Sequence, residues 1–312
     1  MIHAYLVAGG EGRIIDHPAP PALQEAVWID LFQPDEQERT AVERLHQEAL
    51  PEPDEVDEIE ATSRTYQDAS GLHLHLYFLT EHDGRPALET AAFTLTDGRL
   101  ITLRDAELAP FRLLRRRLRR MPAMPPTDIL LELVETALDR LADRVEEGHA
   151  VLEEAGRLVL TKAERRPEAA IDRLTQVEDV NGKIRLCLMD MQRAMLFLLR
   201  RGPKDEAVLR RVREVLRDIE SLLPHTDYLF EKTNFLMDAA LGFINVEQNQ
   251  IIKIFSIAAV VFLPPTLVAS IYGMNFRHMP ELDWPWGYPL AVIVMILSGI
   301  APYLYFKRKG WL

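Results

Sequence analysis

Two runs without a charged side chain, residues 254–276 and 284–306, dominate the C-terminal end of the sequence. Each is 23 residues long. As helix, such a run extends about 34 Å at ~1.5 Å per residue, enough to cross a hydrocarbon core of ~30 Å. Two of them joined by a short polar link predict a transmembrane hairpin rather than a buried soluble one. The aromatic residues agree. Tyr272, Trp284, Trp286 and Tyr288 gather near the link, and Tyr303, Tyr305 and Trp311 near the far ends, where amphipathic rings prefer the bilayer interface. Lys253 and the tail Lys307-Arg308-Lys309 mark one side as cytoplasmic, while the link 277–283 holds one Arg and two acids and is expected outside. The opening Met-Ile-His-Ala-Tyr-Leu-Val lacks a basic segment leading into a long apolar core, so no cleaved signal is expected and both termini are predicted to be cytoplasmic.

The charges are segregated to match. The chain of 312 residues carries 36 Lys and Arg against 48 Asp and Glu, a net of -12. Residues 1–250 hold 31 basic and 46 acidic side chains, a net of -15; the last 62 hold five and two, a net of +3. So acidic a chain lacks the basic footprint that nucleic-acid binding requires, and no nucleic-acid partner is expected. A single cysteine, Cys187, excludes an intrachain disulfide framework and Cys-rich zinc modules. It reads as a small apolar residue on a helix.

The pattern before the hairpin divides in three. Residues 1–126 read as a cytoplasmic α/β domain, with β-rich runs at 2–8, 26–32, 72–79, 90–95 and 100–104 and turn signals at Asp83-Gly84 and Asp97-Gly98. Helical periodicity spans 35–50 and 107–120. Residues 127–203 read as a pair of long acidic helices broken at Arg166-Pro167 and Gly202-Pro203, the first capped by Thr127 or Asp128. Residues 204–253 read as a stalk helix, with a bend expected at Pro224, that continues into the first span, 254–276. The link 277–283, the second span 284–306 and a basic tail 307–312 complete an α+β chain with two C-terminal transmembrane helices.

One stripe of that continuous helix is polar or small. Asn234, Asp238, Leu241, Asn245, Asn249, Ile252, Ser256, Ala259, Leu263, Thr266 and Ser270 cover 36 residues in ten steps, the period of one helix face. Small residues also suit helix packing. An Asp and three Asn leading into a bilayer point instead to a water-lined path. Pro264 and Pro265 lack N–H groups, so the carbonyls of Val260 and Val261 need other partners.

The first span ends Tyr272-Gly273-Met274-Asn275-Phe276, and Met279-Pro280-Glu281-Leu282 follows in the link. Gly273 by itself reads as helix C-capping. Gly-Met-Asn between two C-terminal spans, with that link and a basic tail, resembles the CorA family of magnesium channels. The resemblance is close over 241–312 and extends in layout to the whole chain. It implies a homopentameric funnel with the first spans around a pore and Mg²⁺ as both substrate and regulatory ligand, with Co²⁺ and Ni²⁺ as further cargo, in the inner membrane. Carried across, Gly273, Met274 and Asn275 form the outer selectivity ring. Thr266, Asn249 and Asp238 are polar pore positions, and Leu263, Phe255 and Ile252 the constriction. Glu281 is a weaker outer candidate. Glu214 matches the spacing of a family sensor acid, with Asp218 close by.

The chemistry suits such a site. Mg²⁺ holds six close oxygens and releases water reluctantly. A ring of neutral oxygens can bind its hydration shell and still let it go. No nucleophile or metalloprotease motif is found, and Gly182-Lys183 is followed by Ile184, so neither an enzyme nor ATP coupling is expected. None is needed: a divalent ion gains ~4.6 kcal/mol per 100 mV, about 2,000-fold in concentration. The alternatives are a Zn²⁺ transporter of the related zinc branch, or a cytoplasmic sensor whose hairpin only anchors it. The acids between Glu52 and Glu60 read as a solvated face, His73-x-His75 as structural histidines, and Arg112, Arg115, Arg116, Arg117, Arg119 and Arg120 as a salt-bridging basic helix.

Overall fold

The computed structural model describes the chain except residues 9–10, 52–63, 119–121, 276–278, 281–282 and 311–312. The acidic run 52–60, Arg119, Arg120 and Glu281 fall outside the described residues. The described chain forms two compact units, Met1–Met237 and Asp238–Leu312.

The first unit is built on a seven-stranded mixed sheet in the order β2-β1-β3-β7-β6-β5-β4. The strands are β1 Ile2–Ala8, β2 Glu11–Asp16, β3 Ala26–Phe32, β4 Thr65–Gln67, β5 Leu72–His82, β6 Arg85–Leu95 and β7 Leu100–Arg104. Only β3 and β7 pair in parallel; the other neighbours are antiparallel. β5 and β6 run longer than periodicity predicts, because their ladder continues to the turn at Asp83-Gly84. Both turn residues have positive φ, 51° and 74°, as a two-residue hairpin needs. Strands β2 and β4 carry too little apolar alternation to stand out in the sequence, and pairing with their neighbours decides them.

Helices cover both faces. Helix α1 (Pro20–Glu25) and α2 (Glu36–His46) close one side, their Leu23 and Val42 clustering with Ile29, Leu31 and Ile101 of the sheet. Asp35 and Glu38 form a reciprocal capping box at the start of α2. On the other side, Phe111 of α3 (Ala109–Leu118) packs with Trp28, Phe78 and Phe93. Burial on both faces explains why β7 has no exposed residue.

Two long helices follow, α4 (Pro126–Leu160) and α5 (Pro167–Arg201). Each starts with a proline in its first turn, where a missing N–H costs nothing. Pro125 occupies the N-cap of α4, so neither Thr127 nor Asp128 caps it. Cys187 is buried on α5, and burial, with Asp190 nearby, pushes its thiol up to about 12, as an inert core residue.

Helix α6 runs unbroken from Glu206 to Tyr272, 67 residues or about 100 Å. Pro224 lies inside it, and the loss of one N–H donor is tolerated within so long a ladder. Its first part belongs to the first unit. Val212, Val215, Ile219, Leu229 and Leu236 are buried there on one helix face, at steps of three, four, ten and seven. Asn181 of α5 donates from Nδ2 to the Thr226 carbonyl at 2.9 Å. Arg211 ties α6 to α4 through Glu135 at 2.7 Å, Glu132 at 2.8 Å and Asp128 at 3.4 Å. The Glu135 hydrogen bond leads a set of acids that hold this guanidinium above even the usual arginine range.

Candidate ion pathway

The second unit contains the rest of α6 and helix α7 (Gly287–Arg308). Both helices are long and apolar enough to cross a membrane, and only 6 % of each apolar stretch is buried within the chain. The α6 helix ends at Tyr272, and α7 starts three residues after the uncharged run begins and takes in Lys307 and Arg308 of the basic tail.

Three faces of upper α6 can be told apart by exposure and polarity. One carries Ile257, Val261, Pro264, Pro265 and Val268, the residues with least exposure. It packs on α7, where Gly287, Ala291, Met295, Ser298, Gly299 and Pro302 form a corresponding row of low exposure. Gly299 is the tight point: a Cβ there would stand 3.3 Å from Pro265 Cγ and 3.6 Å from the Val261 carbonyl oxygen. That carbonyl is one that Pro265 leaves without a helix donor, so the small residue of α7 seals it from lipid. A second face, with Ile251, Ile254 and Phe262, is apolar and exposed.

The third face is the polar stripe. Asn234, Asp238, Leu241, Asn245, Asn249, Ile252, Ser256, Ala259, Leu263, Thr266 and Ser270 are all exposed, as is Phe255 beside them. The hydroxyl of Thr266 donates to the Phe262 carbonyl at 2.7 Å. Its second lone pair stays available to a water on the outside of the helix. A cleft of about 600 Å³ opens between the two helices, lined by Asn249, Ile252, Lys253, Ser256, Ile257, Val260 and Phe306.

At the end of α6 the Gly273 amide donates to the Ala269 carbonyl at 2.9 Å and the Met274 amide to Ile271 at 3.3 Å. Gly273 does not take the left-handed conformation of a capping glycine. Its role is closeness: a Cβ would lie 3.1 Å from the Ala269 carbonyl oxygen. Gly273 thus stands at the C-cap, directly after the last helical residue, without the left-handed turn. Gly273, Met274 and Asn275 are all exposed at the terminus, where the helix dipole concentrates partial negative charge.

The sensor candidates lie on lower α6. Glu214 and Asp218 are exposed, one turn apart, on the side facing away from α4 and α5. Like charges at that spacing repel. Asp128, Glu132 and Glu135 of α4 are instead engaged by Arg211. Among the described residues no group of three His, Cys, Asp or Glu is placed to hold a metal within one chain.

The other constellations are structural. His73 is buried, with Nδ1 3.1 Å from Thr94 Oγ1 and Nε2 3.0 Å from Asp68 Oδ1. Arg115 pairs with Glu107 at 3.0 Å and Arg117 with Glu132 at 3.1 Å, so the basic helix makes salt bridges as expected. Sequence reasoning missed the buried pairs. Arg104 donates to Asp30 at 3.1 and 3.0 Å, and Arg64 to Asp190 at 3.2 and 3.0 Å. It also missed the work of Arg211 and Gly299. Only the proline pair, by freeing the Val261 carbonyl, hinted that a small residue had to lie opposite.

The comparisons with known proteins agree with this layout. The CorA-like Mg²⁺ transporter protein family matches residues 24–308. The magnesium transport protein CorA of Escherichia coli is 51% identical over 316 residues, covering 100% of both chains. That of Salmonella typhimurium is 50% identical over 295 residues, 93% of each chain. Among solved structures, the CorA magnesium transporter from Methanocaldococcus jannaschii aligns over 100% of this chain and 99% of its own, with a TM-score of 0.76 at 17% identity. The full-length CmaX protein aligns over 99% and 97%, with a TM-score of 0.74 at 18% identity. These two likenesses establish the fold, a sheet domain followed by long helices and two apolar C-terminal helices. The family match and the full-length identity to its bacterial members go further: this chain belongs to the CorA family.

Proposed function

We propose that the chain is a magnesium transport protein of the inner membrane, a homopentameric channel that admits Mg²⁺ down the membrane potential. The observation that carries this is the stripe on α6. Eleven residues on one face, from Asn234 to Ser270, are all exposed in the single chain, and Asn, Asp, Ser and Thr on a membrane helix need water or partners. Two helices cannot enclose a channel, so copies of this face must meet. Full-length relatives at 50–51% identity that are named magnesium transport proteins support the same cargo.

In this reading the first unit and both termini are cytoplasmic. Asn275 side chains, with the Gly273 carbonyls, ring the outer mouth and hold hydrated Mg²⁺ through its water. Neutral oxygens there select without trapping the ion. Leu263, Phe255 and Ile252 form the dewetting constriction, and Thr266, Asn249 and Asp238 bind the water shell between narrow points. Co²⁺ and Ni²⁺, with similar hydrated shells, pass the same ring. Glu214 and Asp218 face neighbouring subunits and bind intracellular Mg²⁺; when it falls, their repulsion loosens the stalks and the constriction wets.

The test is Mg²⁺ uptake by proteoliposomes. Asn275→Ala is expected to abolish uptake while assembly persists. Equal uptake by wild type and variant would remove the ring, and no uptake by wild type would remove the transport reading. The gate has its own measurement: Glu214→Gln with Asp218→Asn is expected to lose Mg²⁺-dependent protection from protease.

A further inference from the structure

His149 of α4 and His225 of α6 lie on facing turns of the two helices. Gly148 permits the approach: a Cβ there would meet Leu229 Cδ1 at 3.2 Å, and its absence lets α6 lie close. His149 consequently stacks on Tyr228 with ring centroids 5.4 Å apart, and meets His225 at 5.6 Å with an interplanar angle of 83°. His225 and Tyr228 are three residues apart and share a helix face.

Nε2 of His149 is buried and makes no hydrogen bond among the described residues. An orphaned buried ring nitrogen is unusual and points to a missing ligand. Burial, then the neighbouring His225, lowers the pKa of His149, with Glu153 opposing. Neutral imidazole offers a lone pair to a metal. Two imidazoles on one tetrahedral ion, at ~2.0–2.1 Å from nitrogen to metal, place their ring centroids roughly 5 to 5.5 Å apart. The observed spacing is close to that.

We propose that His149 and His225 form a binding site for a borderline divalent transition-metal ion, of the Zn²⁺, Ni²⁺ or Co²⁺ class, bridging α4 to α6. Imidazole suits these ions, whereas Mg²⁺ takes hard oxygen ligands. The site therefore discriminates against the ion assigned to the α6 stripe. No third His, Cys, Asp or Glu joins the pair among the described residues, so water completes the shell. His225 is exposed and gives the ion access from solvent. A bound ion cross-links α4 to the stalk and stabilises that packing in proportion to its concentration.

The test is calorimetric titration of full-length protein with Ni²⁺, with Mg²⁺ in large excess to fill oxygen-lined sites. Wild type is expected to bind Ni²⁺ with single stoichiometry per chain and to melt at a higher temperature for it. His149→Gln or His225→Gln weakens binding at least about tenfold and removes the thermal shift, while Tyr228→Phe keeps both. Because His225 is exposed, His225→Gln carries the test should His149→Gln fail to fold. Equal Ni²⁺ affinity in wild type and His225→Gln, or no Ni²⁺ binding by wild type, overturns the site.

Discussion

The two units of the chain solve the polar-group problem in opposite ways. The first buries its ion pairs. Asp30 and Arg104 are 0% and 1% exposed, and the Arg64–Asp190 pair is almost equally hidden. Each is surrounded by further donors: Thr102 donates to Asp30 at 2.9 Å and the Tyr77 amide to Asp190 at 3.0 Å. The second unit leaves its polar side chains outside, along one face of α6, and its apolar ones outside along another. The difference is one of solvent. In water, a buried charge is tolerable when paired and fully hydrogen-bonded. In a bilayer the apolar face has its solvent already, and the exposed polar face is the unfinished part. One helix serves both regimes, so the same substitution should read differently along it.

The largest effect is expected from Arg64→Ala, which leaves Asp190 charged and buried: about 3–5 kcal/mol of destabilisation, measurable by denaturant unfolding. Replacing both partners with leucine should recover most of it. Next comes a matched pair on α6. Leu236→Ala, at a buried position opposite Gly156, should cost about 2–5 kcal/mol. Leu263→Ala, exposed on the stripe, should change stability by less than about 0.5 kcal/mol and instead raise resting Mg²⁺ leak. Equal stability losses would erase the distinction between the two parts of the helix. Gly299→Ala should cost about 1–3 kcal/mol by pressing on Pro265, read as a lower melting temperature of the full-length protein in detergent.

The smallest effect sits at the edge of the sheet. Burial opposes ionisation of Asp68, but hydrogen bonds from Ser70 and His73 prevail and hold its carboxyl down to about 2. A carboxyl lowered on folding contributes stability that is complete above the usual carboxylate range and lost as pH falls toward 2. Stability of wild type should therefore decline more steeply in acid than that of Asp68→Asn.

Much of the candidate pathway was legible beforehand because its signals are local. Twenty-three residues without a charge, a polar stripe at helical period and Gly273-Met274-Asn275 between two apolar helices all lie within a few turns of one another. The long helices were equally plain, since period and charge pattern persist for many turns. What stayed hidden needed partners distant in sequence. Strand β4 exists through its ladder with β5. Arg64 meets Asp190 across 126 positions, and His149 meets His225 because Gly148 admits Leu229. Gly273 shows the same limit: its identity was visible, but its use, closeness to the Ala269 carbonyl rather than a left-handed turn, was not.

The sequence by itself determined that this chain has two apolar helices after an acidic folded unit, and which face of the first helix is polar. Those follow from periodicity and charge, which are properties of neighbours. Tertiary structure alone decided that α6 passes Pro224 unbroken, that Gly299 covers the carbonyl freed by Pro265, and that the α4 acids are held by Arg211 while Glu214 and Asp218 remain outside. Each depends on which side chains distant segments bring within contact distance, and close packing, not local preference, sets that.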